Sequence, residues 1–233
     1  MRTFSQPCRS PAFALAGLLG LLAQPAAAEL VLDRVIVDLE AGQAPRDDIE
    51  VMNMGEERMY VLAEPFEILD AGLESQARVA LGPPSETGMF VSPLRMILEP
   101  GERRLVRIAA TGERPASDRV FRVRIRPVVG EVVSQNDALK VLVGYDALVL
   151  LRASEIRGEI EVMREGQRLT LVNRSNSAQE LFAGQQCRAV NEDCQDLPAT
   201  RLYPGQRWSI DLPYLTPGTF KKAIGSNVTT LDF

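Results

Sequence analysis

Short apolar runs rich in Val, Ile and Leu recur along the chain from Leu30 onward, and clusters of Gly, Pro, Asn and Asp separate them. Several of these runs alternate apolar and polar residues with a period of two, which is typical of a strand with one buried face. No helical period extends over a comparable length of the sequence. The pattern therefore predicts an all-β protein made of sandwiches of short strands.

The first half of the chain contains seven predicted strands, the number in an immunoglobulin-like sandwich. They cover residues 30–38, 49–53, 59–67, 89–97, 104–109, 119–126 and 138–151. Pro100 and Gly101 favour a tight turn, which we expect to link two antiparallel strands. The small and polar residues 153–158 predict a junction, and strands at 168–173, 208–212 and 227–233 predict a second sandwich.

The first 28 residues have the features of a secretory signal. Arg2 and Arg9 precede an apolar run over residues 12–23, and three alanines end the segment before Glu29. The apolar run is too short to favour the alternative, a membrane anchor. We therefore expect cleavage after residue 28, a first domain over residues 29–152, and a second over residues 153–233.

Cysteine content agrees with export. The chain has three cysteines, and Cys8 lies in the predicted signal. Cys187 and Cys194 remain, an even number in a chain sent to an oxidising compartment, which predicts a disulfide between them. A zinc site is the alternative, but it needs further ligands and the chain has no histidine.

The absence of histidine also excludes Ser-His-Asp and Cys-His catalytic arrangements. No metal-ligand spacing or phosphate-binding glycine loop appears, so we expect neither an enzyme nor a metal or nucleotide cofactor. The formal net charge is −5, and removal of the signal makes it more negative. This sign disfavours general binding to nucleic acid or to anionic membranes.

The predicted strand over residues 138–151 is unusually long and apolar. Leu139, Val141 and Val143 fall on one of its faces. Two interpretations are open: an ordinary strand of the protein's own sandwich, or a strand that also serves a partner. An exposed apolar strand would in addition predict weak self-association.

Four segments, read in order, resemble the periplasmic chaperones of chaperone-usher pili. They are LDRVIV at the mature start, FVSPLRMILEPGERRLVRI in the middle of the first domain, FRVRIRPVV after it, and the long apolar strand that ends at Arg152. The resemblance covers nearly the whole mature chain but is specific mainly in the first domain. It implies two immunoglobulin-like sandwich domains arranged in an L.

The resemblance also implies a function. Such chaperones act in the periplasm, where they lend a strand to an incomplete pilus subunit and pass the subunit to an outer-membrane usher. Mapped onto this chain, the lent side chains are Leu139, Val141 and Val143. The structural alternative is a pilus subunit or adhesin with immunoglobulin-like domains, for which the alternating segment 30–39 could serve as an N-terminal extension.

The family also implies a basic anchor for the terminal carboxylate of the subunit, and Arg34 matches its first-strand arginine. The chain departs from the family at Leu148, where the pattern has a lysine. Lys140 is eight residues away, roughly 26 Å along an extended strand, and cannot replace that lysine. The row of Arg122, Arg124 and Arg126 could compensate, or it could be a solvated sheet face.

Arg152 and Asp118 resemble positions of an ion-pair cluster that fixes the angle between the two domains. We expect their role to be geometric, because a cleft between two domains keeps its shape only if their relative rotation is restrained.

Overall fold

The computed structural model describes residues 29–128, 142–190 and 192–233. In these ranges most residues lie in strands, and the single short helix, α1, covers Pro84–Thr87. The predicted all-β fold is confirmed. The strands build four sheets, and the two in the first half share no strand with the two in the second half.

The first sandwich consists of two facing sheets. Sheet 1 has four strands in the order β1, β3, β8, β6, with the bounds β1 Leu30–Leu32, β3 Arg46–Asn53, β8 Arg103–Ala110 and β6 Met89–Ser92. Sheet 2 has the order β2, β10, β9, β4, β5, with β7 also paired to β4. Its bounds are β2 Ile36–Leu39, β10 Tyr145–Leu151, β9 Arg119–Val128, β4 Met59–Leu69, β5 Ala77–Ala80 and β7 Arg95–Leu98.

Two predicted strands are each divided between the sheets. The segment 30–38 splits into β1 in sheet 1 and β2 in sheet 2, and the segment 89–97 splits into β6 and β7 around Pro93. The turn at Pro100 and Gly101 joins β7 to β8, which lie in opposite sheets and do not pair. The turn therefore links strands of facing sheets and not hydrogen-bonded neighbours, because turn residues fix a chain reversal but not the partner of each strand.

The core between sheets 1 and 2 is built from the inward residues of alternating strands. Ile49, Val106, Ile108 and Ile125 are fully buried within it. Each of these side chains contributes roughly 1.5–3 kcal/mol by leaving water. All of the buried residues of this core lie between Leu30 and Leu151.

The second sandwich also has two sheets. Sheet 3 has the order β11, β12, β16, with the bounds β11 Ile160–Glu165, β12 Arg168–Asn173 and β16 Arg207–Asp211. Sheet 4 has the order β14, β13, β17, β18, with β15 also paired to β13. Its bounds are β13 Gln179–Ala189, β14 Glu192–Leu197, β15 Thr200–Leu202, β17 Gly218–Ile224 and β18 Asn227–Asp232.

A separate core and a disulfide hold the second sandwich. Its buried residues are centred on Phe220, which packs edge-on against Trp208 with 6.1 Å between the ring centroids. Gly184 lies against this ring, and a β-carbon there would come within 2.1 Å of it. Cys187 and Cys194 face each other across β13 and β14 and are bonded, which confirms the predicted disulfide.

Candidate functional site

Strand β10 carries one row of side chains that begins inside the protein and continues to its surface. Leu151, Val149 and Ala147 are buried in the first core. Tyr145 packs at the end of this core, where its hydroxyl donates to the carbonyl oxygen of Leu30 at 3.0 Å. Val143, two residues before it, is 46% exposed. The row thus passes out of its own sandwich between residues 145 and 143.

Leu139 and Val141, the other two predicted members of this row, lie outside the described residues. The predicted strand over residues 138–151 is therefore observed only as Tyr145–Leu151.

One edge of β10 is only partly covered. Strand β9 pairs with all seven residues of β10, whereas β2 pairs, in parallel, with Leu148–Leu151 alone. In the described part of the chain no strand pairs with Tyr145, Asp146 or Ala147 on the β2 side. Backbone groups of an unpaired edge can bind another strand. The open edge and the exposed end of the apolar row therefore meet at the same place.

Arg34 lies between β1 and β2, with a largely exposed side chain. Its guanidinium donates to Asp33 and to Asp47, each at 2.9 Å. The hydrogen bond to Asp33 and the charge of Asp47 raise the pKa of Arg34 above its ordinary value. The β2 residue opposite Leu148 is Ile36, so the structure does not bring Arg34 and Leu148 together as a pair.

Leu148 belongs to a small apolar cluster that joins the two sandwiches. Val120, Leu148 and Leu150 of the first sandwich are buried there together with Ala178 of the second, and Tyr203 packs against them. The position at which the resemblance implies a lysine is therefore filled by a side chain that supports the contact between sandwiches. A charged group buried in this cluster would be costly without a partner.

Next to this cluster, Arg152 is almost entirely buried and forms five hydrogen bonds. It donates to both carboxylate oxygens of Asp38 at 2.7 and 2.6 Å, to Asp118 at 2.9 Å, and to Ser177 Oγ and Ala178 O at 3.1 and 2.6 Å. Burial lowers the pKa of Arg152. The hydrogen bonds to Asp38 and Asp118 and the charges of these two carboxylates outweigh that effect, so the pKa of Arg152 lies above its ordinary value.

Asp118 completes the link between the sandwiches. Its side chain is fully buried and accepts hydrogen bonds from the amides of Ala153 and Ala178 and from Ser177 Oγ, each at 2.8 Å. The predicted pair Arg152 and Asp118 is thus in direct contact, and both side chains bind residues that follow the first sandwich. The sequence reasoning missed Asp38 and Ser177, which no motif marks.

A second contact between the sandwiches lies at the end of β2. Both carboxylate oxygens of Glu40 accept from Ser226, one from its amide at 2.8 Å and one from its hydroxyl at 3.1 Å. Ser226 sits in the turn between β17 and β18, next to Gly225, which has a φ of +57°. The end of β2 is therefore held by the second sandwich as well as by Arg152.

The outward face of sheet 2 carries the arginine row of β9. Arg124 and Arg126 both donate to the same oxygen of Glu64, at 3.1 and 2.8 Å. The Arg126 hydrogen bond is the largest cause that lowers the pKa of Glu64. Arg122 lies nearer to Asp146, which Arg78 binds with both terminal nitrogens, at 3.1 and 2.6 Å. This face is a network of ion pairs that extends from β4 to β10.

The described ranges contain neither a metal-binding cluster nor a membrane-spanning helix. No group of three or more His, Cys, Asp or Glu side chains in these ranges could hold a metal ion. No helix in the same ranges is long and apolar enough to cross a membrane.

No protein-family model and no curated protein sequence matches this chain. Solved structures do match its fold. One is the class 5 fimbriae chaperone CfaA, with a TM-score of 0.64 and 19% identity over 88% of this chain and 97% of that one. Another is in the CsuC–CsuE chaperone–tip adhesion subunit complex of Acinetobacter baumannii, with a TM-score of 0.59 and 13% identity over 88% and 98%.

A third is the periplasmic chaperone SfaE, with a TM-score of 0.57 and 14% identity over 87% of this chain and 98% of that one. These likenesses extend over both sandwiches. They confirm that the chain has the immunoglobulin-like two-domain fold of the fimbrial chaperones.

Proposed function

We propose that this protein is a periplasmic chaperone of the chaperone-usher family, which binds pilus subunits by adding a strand to them and delivers them to an outer-membrane usher. The fold it shares with CfaA and SfaE supports the class of protein. The structure of CsuC with CsuE, a complex of a chaperone and a tip adhesion subunit, supports a pilus subunit as the partner.

The apolar row of β10 is the observation that supports this function most directly. Its inner members are locked in the first core, and Val143 continues the same face into solvent beside an open edge. Because alternate residues of a strand share a face, Val141 and Leu139 would continue the row. A subunit that lacks a strand could receive all three side chains in its groove.

The energetics fit a partner of this kind. Each of the three side chains would contribute roughly 1.5–3 kcal/mol on full burial, before the cost of ordering the bound chain. Backbone hydrogen bonds along the edge would add affinity, and the fixed side-chain pockets would set the register. The same contacts would keep the apolar groove of the subunit from aggregating.

Two further roles belong to this proposal. Arg34 would bind the terminal carboxylate of the subunit, for which its guanidinium would exchange the bond to Asp47 for one to the partner. Arg152 and Asp118 would fix the relative orientation of the two domains. The matched comparison for Arg34→Ala is Arg103→Ala, since Arg103 is also exposed and ion-paired, with Glu50. Only the first change should weaken subunit binding.

The test is copurification from the periplasm with a tagged protein. The wild-type chain should retain an exported subunit in equimolar amount, identified by mass. Val141→Asp and Val143→Asp should abolish retention while the circular dichroism spectrum stays unchanged. Leu105→Asp serves as the control, because Leu105 is 51% exposed on sheet 1, away from β10.

Three results would argue against the proposal. Either aspartate variant could still bind, the wild-type chain could capture no exported subunit, or it could polymerise by itself as a structural pilus subunit would.

A further inference from the structure

A pocket of about 410 Å³ opens on the outward face of sheet 2, beside the uncovered edge of β10. Arg124, Arg126, Gly144 and Asp146 are among the residues that line it. It lies on the opposite face of the strand from the apolar row, because Gly144 and Asp146 alternate with Val143 and Tyr145. A strand added to this edge would therefore place every second side chain on the face where the pocket lies.

Gly144 lies directly against Arg126 of the neighbouring strand β9. A β-carbon on Gly144 would lie 2.8 Å from the β-carbon of Arg126 and 3.3 Å from its α-carbon. Such contacts are too short, so the close approach of β9 requires glycine here. In consequence, position 144 places no side chain against Arg126.

The charges around this pocket are unbalanced. Arg124 and Arg126 share one oxygen of Glu64, so within the described ranges these two cations bind one carboxylate between them. The other nearby carboxylate, Asp146, is already bound by both terminal nitrogens of Arg78. The guanidinium groups of Arg124 and Arg126 both remain partly exposed. Among the described residues, the pocket therefore has more positive than negative charge, and its guanidinium groups have donors for one more anion.

We propose that this pocket receives a carboxylate side chain from the strand that the partner adds to β10, opposite Gly144, and that Arg126 and Arg124 bind it. This inference rests on the proposed function, since it requires a strand at that edge. Residues directly opposite each other in paired strands project on the same face. The added strand and β9 would be about 10 Å apart, two strand spacings, which an acidic side chain and an arginine can bridge across a glycine.

The pocket would act as a determinant of specificity. Apolar residues of the partner would fill the row continued by Val143, while an Asp or Glu at one outward position would select register and partner. Glutamine at that position would keep the shape but lose the charge-assisted bonds, and lysine would be repelled by both arginines.

The experiment measures binding of fluorescent synthetic peptides to the purified full chain by anisotropy. Each peptide is an extended strand with apolar residues at alternate positions and neutral polar residues between them. A single Glu is moved along the outward positions, with matched peptides that carry Gln or Lys instead. At one position Glu should bind about fivefold more tightly than Gln, a gain within the range of exposed ion pairs.

Variants of the protein test whether the tighter binding of the Glu peptide arises from the pocket. Arg126→Gln should remove the preference for Glu, and Glu64→Gln should increase it by freeing both guanidinium groups. Arg122→Gln is the matched control on the same strand and face, and it should leave the preference unchanged. Thermal melting verifies that each variant is folded.

The outcomes separate the two proposals. If peptides bind but no position prefers Glu, or if the preference survives Arg126→Gln, the pocket assignment is overturned and strand addition stands. If no alternating peptide binds and no subunit copurifies, both proposals fail.

Discussion

Replacing Arg152 by methionine should destabilise the protein strongly, because this change leaves a buried carboxylate without its cation. Asp38 is 24% exposed on its side chain and can be rehydrated, whereas the side chain of Asp118 is fully buried. Asp118 would keep three hydrogen-bond donors, from Ala153, Ser177 and Ala178.

Removing one partner of a buried ion pair costs about 3–5 kcal/mol. The three remaining donors place the expected loss for Arg152→Met near the lower end, at about 3 kcal/mol. Urea denaturation followed by circular dichroism measures this free energy of unfolding. Arg157→Met is the control, since the ion pair of Arg157 with Glu155 is highly exposed, and it should leave the denaturation midpoint unchanged.

A double variant tests the cause. If the cost arises from the uncompensated charge of Asp118, then Arg152→Met combined with Asp118→Asn should be less destabilised than the sum of the single changes. A loss below about 1 kcal/mol for Arg152→Met, or simple additivity in the double variant, would refute the reasoning.

Two other predictions concern the second sandwich and pH. Replacing Cys187 and Cys194 by serine should cost about 2.5 kcal/mol in thermal or urea unfolding, the chain-entropy value for so short a loop, and an unchanged stability would contradict it. The hydrogen bond from Arg107 lowers the pKa of Asp48. The stabilisation by this ion pair is therefore present above about pH 4 and is lost as the pH falls through the folded-state pKa of Asp48. Asp48→Asn should therefore make the free energy of unfolding fall less steeply with decreasing pH below about pH 4.

Strands with regular alternation could be located from sequence to within two or three residues. Strand β9 was expected over residues 119–126 and covers Arg119–Val128, and β4 was expected over residues 59–67 and covers Met59–Leu69. In β9 the inward residues Phe121, Val123 and Ile125 are apolar and the outward residues between them are arginines, so the periodic signal reflects burial directly. Strand β4 is mostly apolar on both faces, and its length as an apolar run located it.

Strand β13 was missed for a physical reason. Its inward positions include Gln179 and Gln186, which are buried although they are polar. Gln186 is satisfied by the backbone of Tyr214 and Thr216, which lie far along the chain. A buried amide with remote partners gives no apolar alternation, so the sequence pattern does not reveal the strand.

The site residues likewise divide into those that the sequence reveals and those that it does not. The disulfide followed from counting cysteines, and the pairing of Arg152 with Asp118 from the family resemblance. The ion pair of Arg34 with Asp47 could not be foreseen, because these residues come together only through the pairing of β1 with β3 in sheet 1. The excess charge at Arg124 and Arg126 likewise depends on the register between β9 and β4, which places Glu64 opposite Arg124.

Under the proposed function, the burial of Ala147, Val149 and Leu151 has a consequence for the range of subunits that one copy of this protein could bind. Because these residues fix where β10 begins and which way its side chains point, an incoming chain does not have to organise the strand it binds. Sequences that differ widely could then be accommodated in turn, provided that each keeps an apolar groove of matching spacing. Diversity among clients would be tolerated without any change in the molecule that receives them.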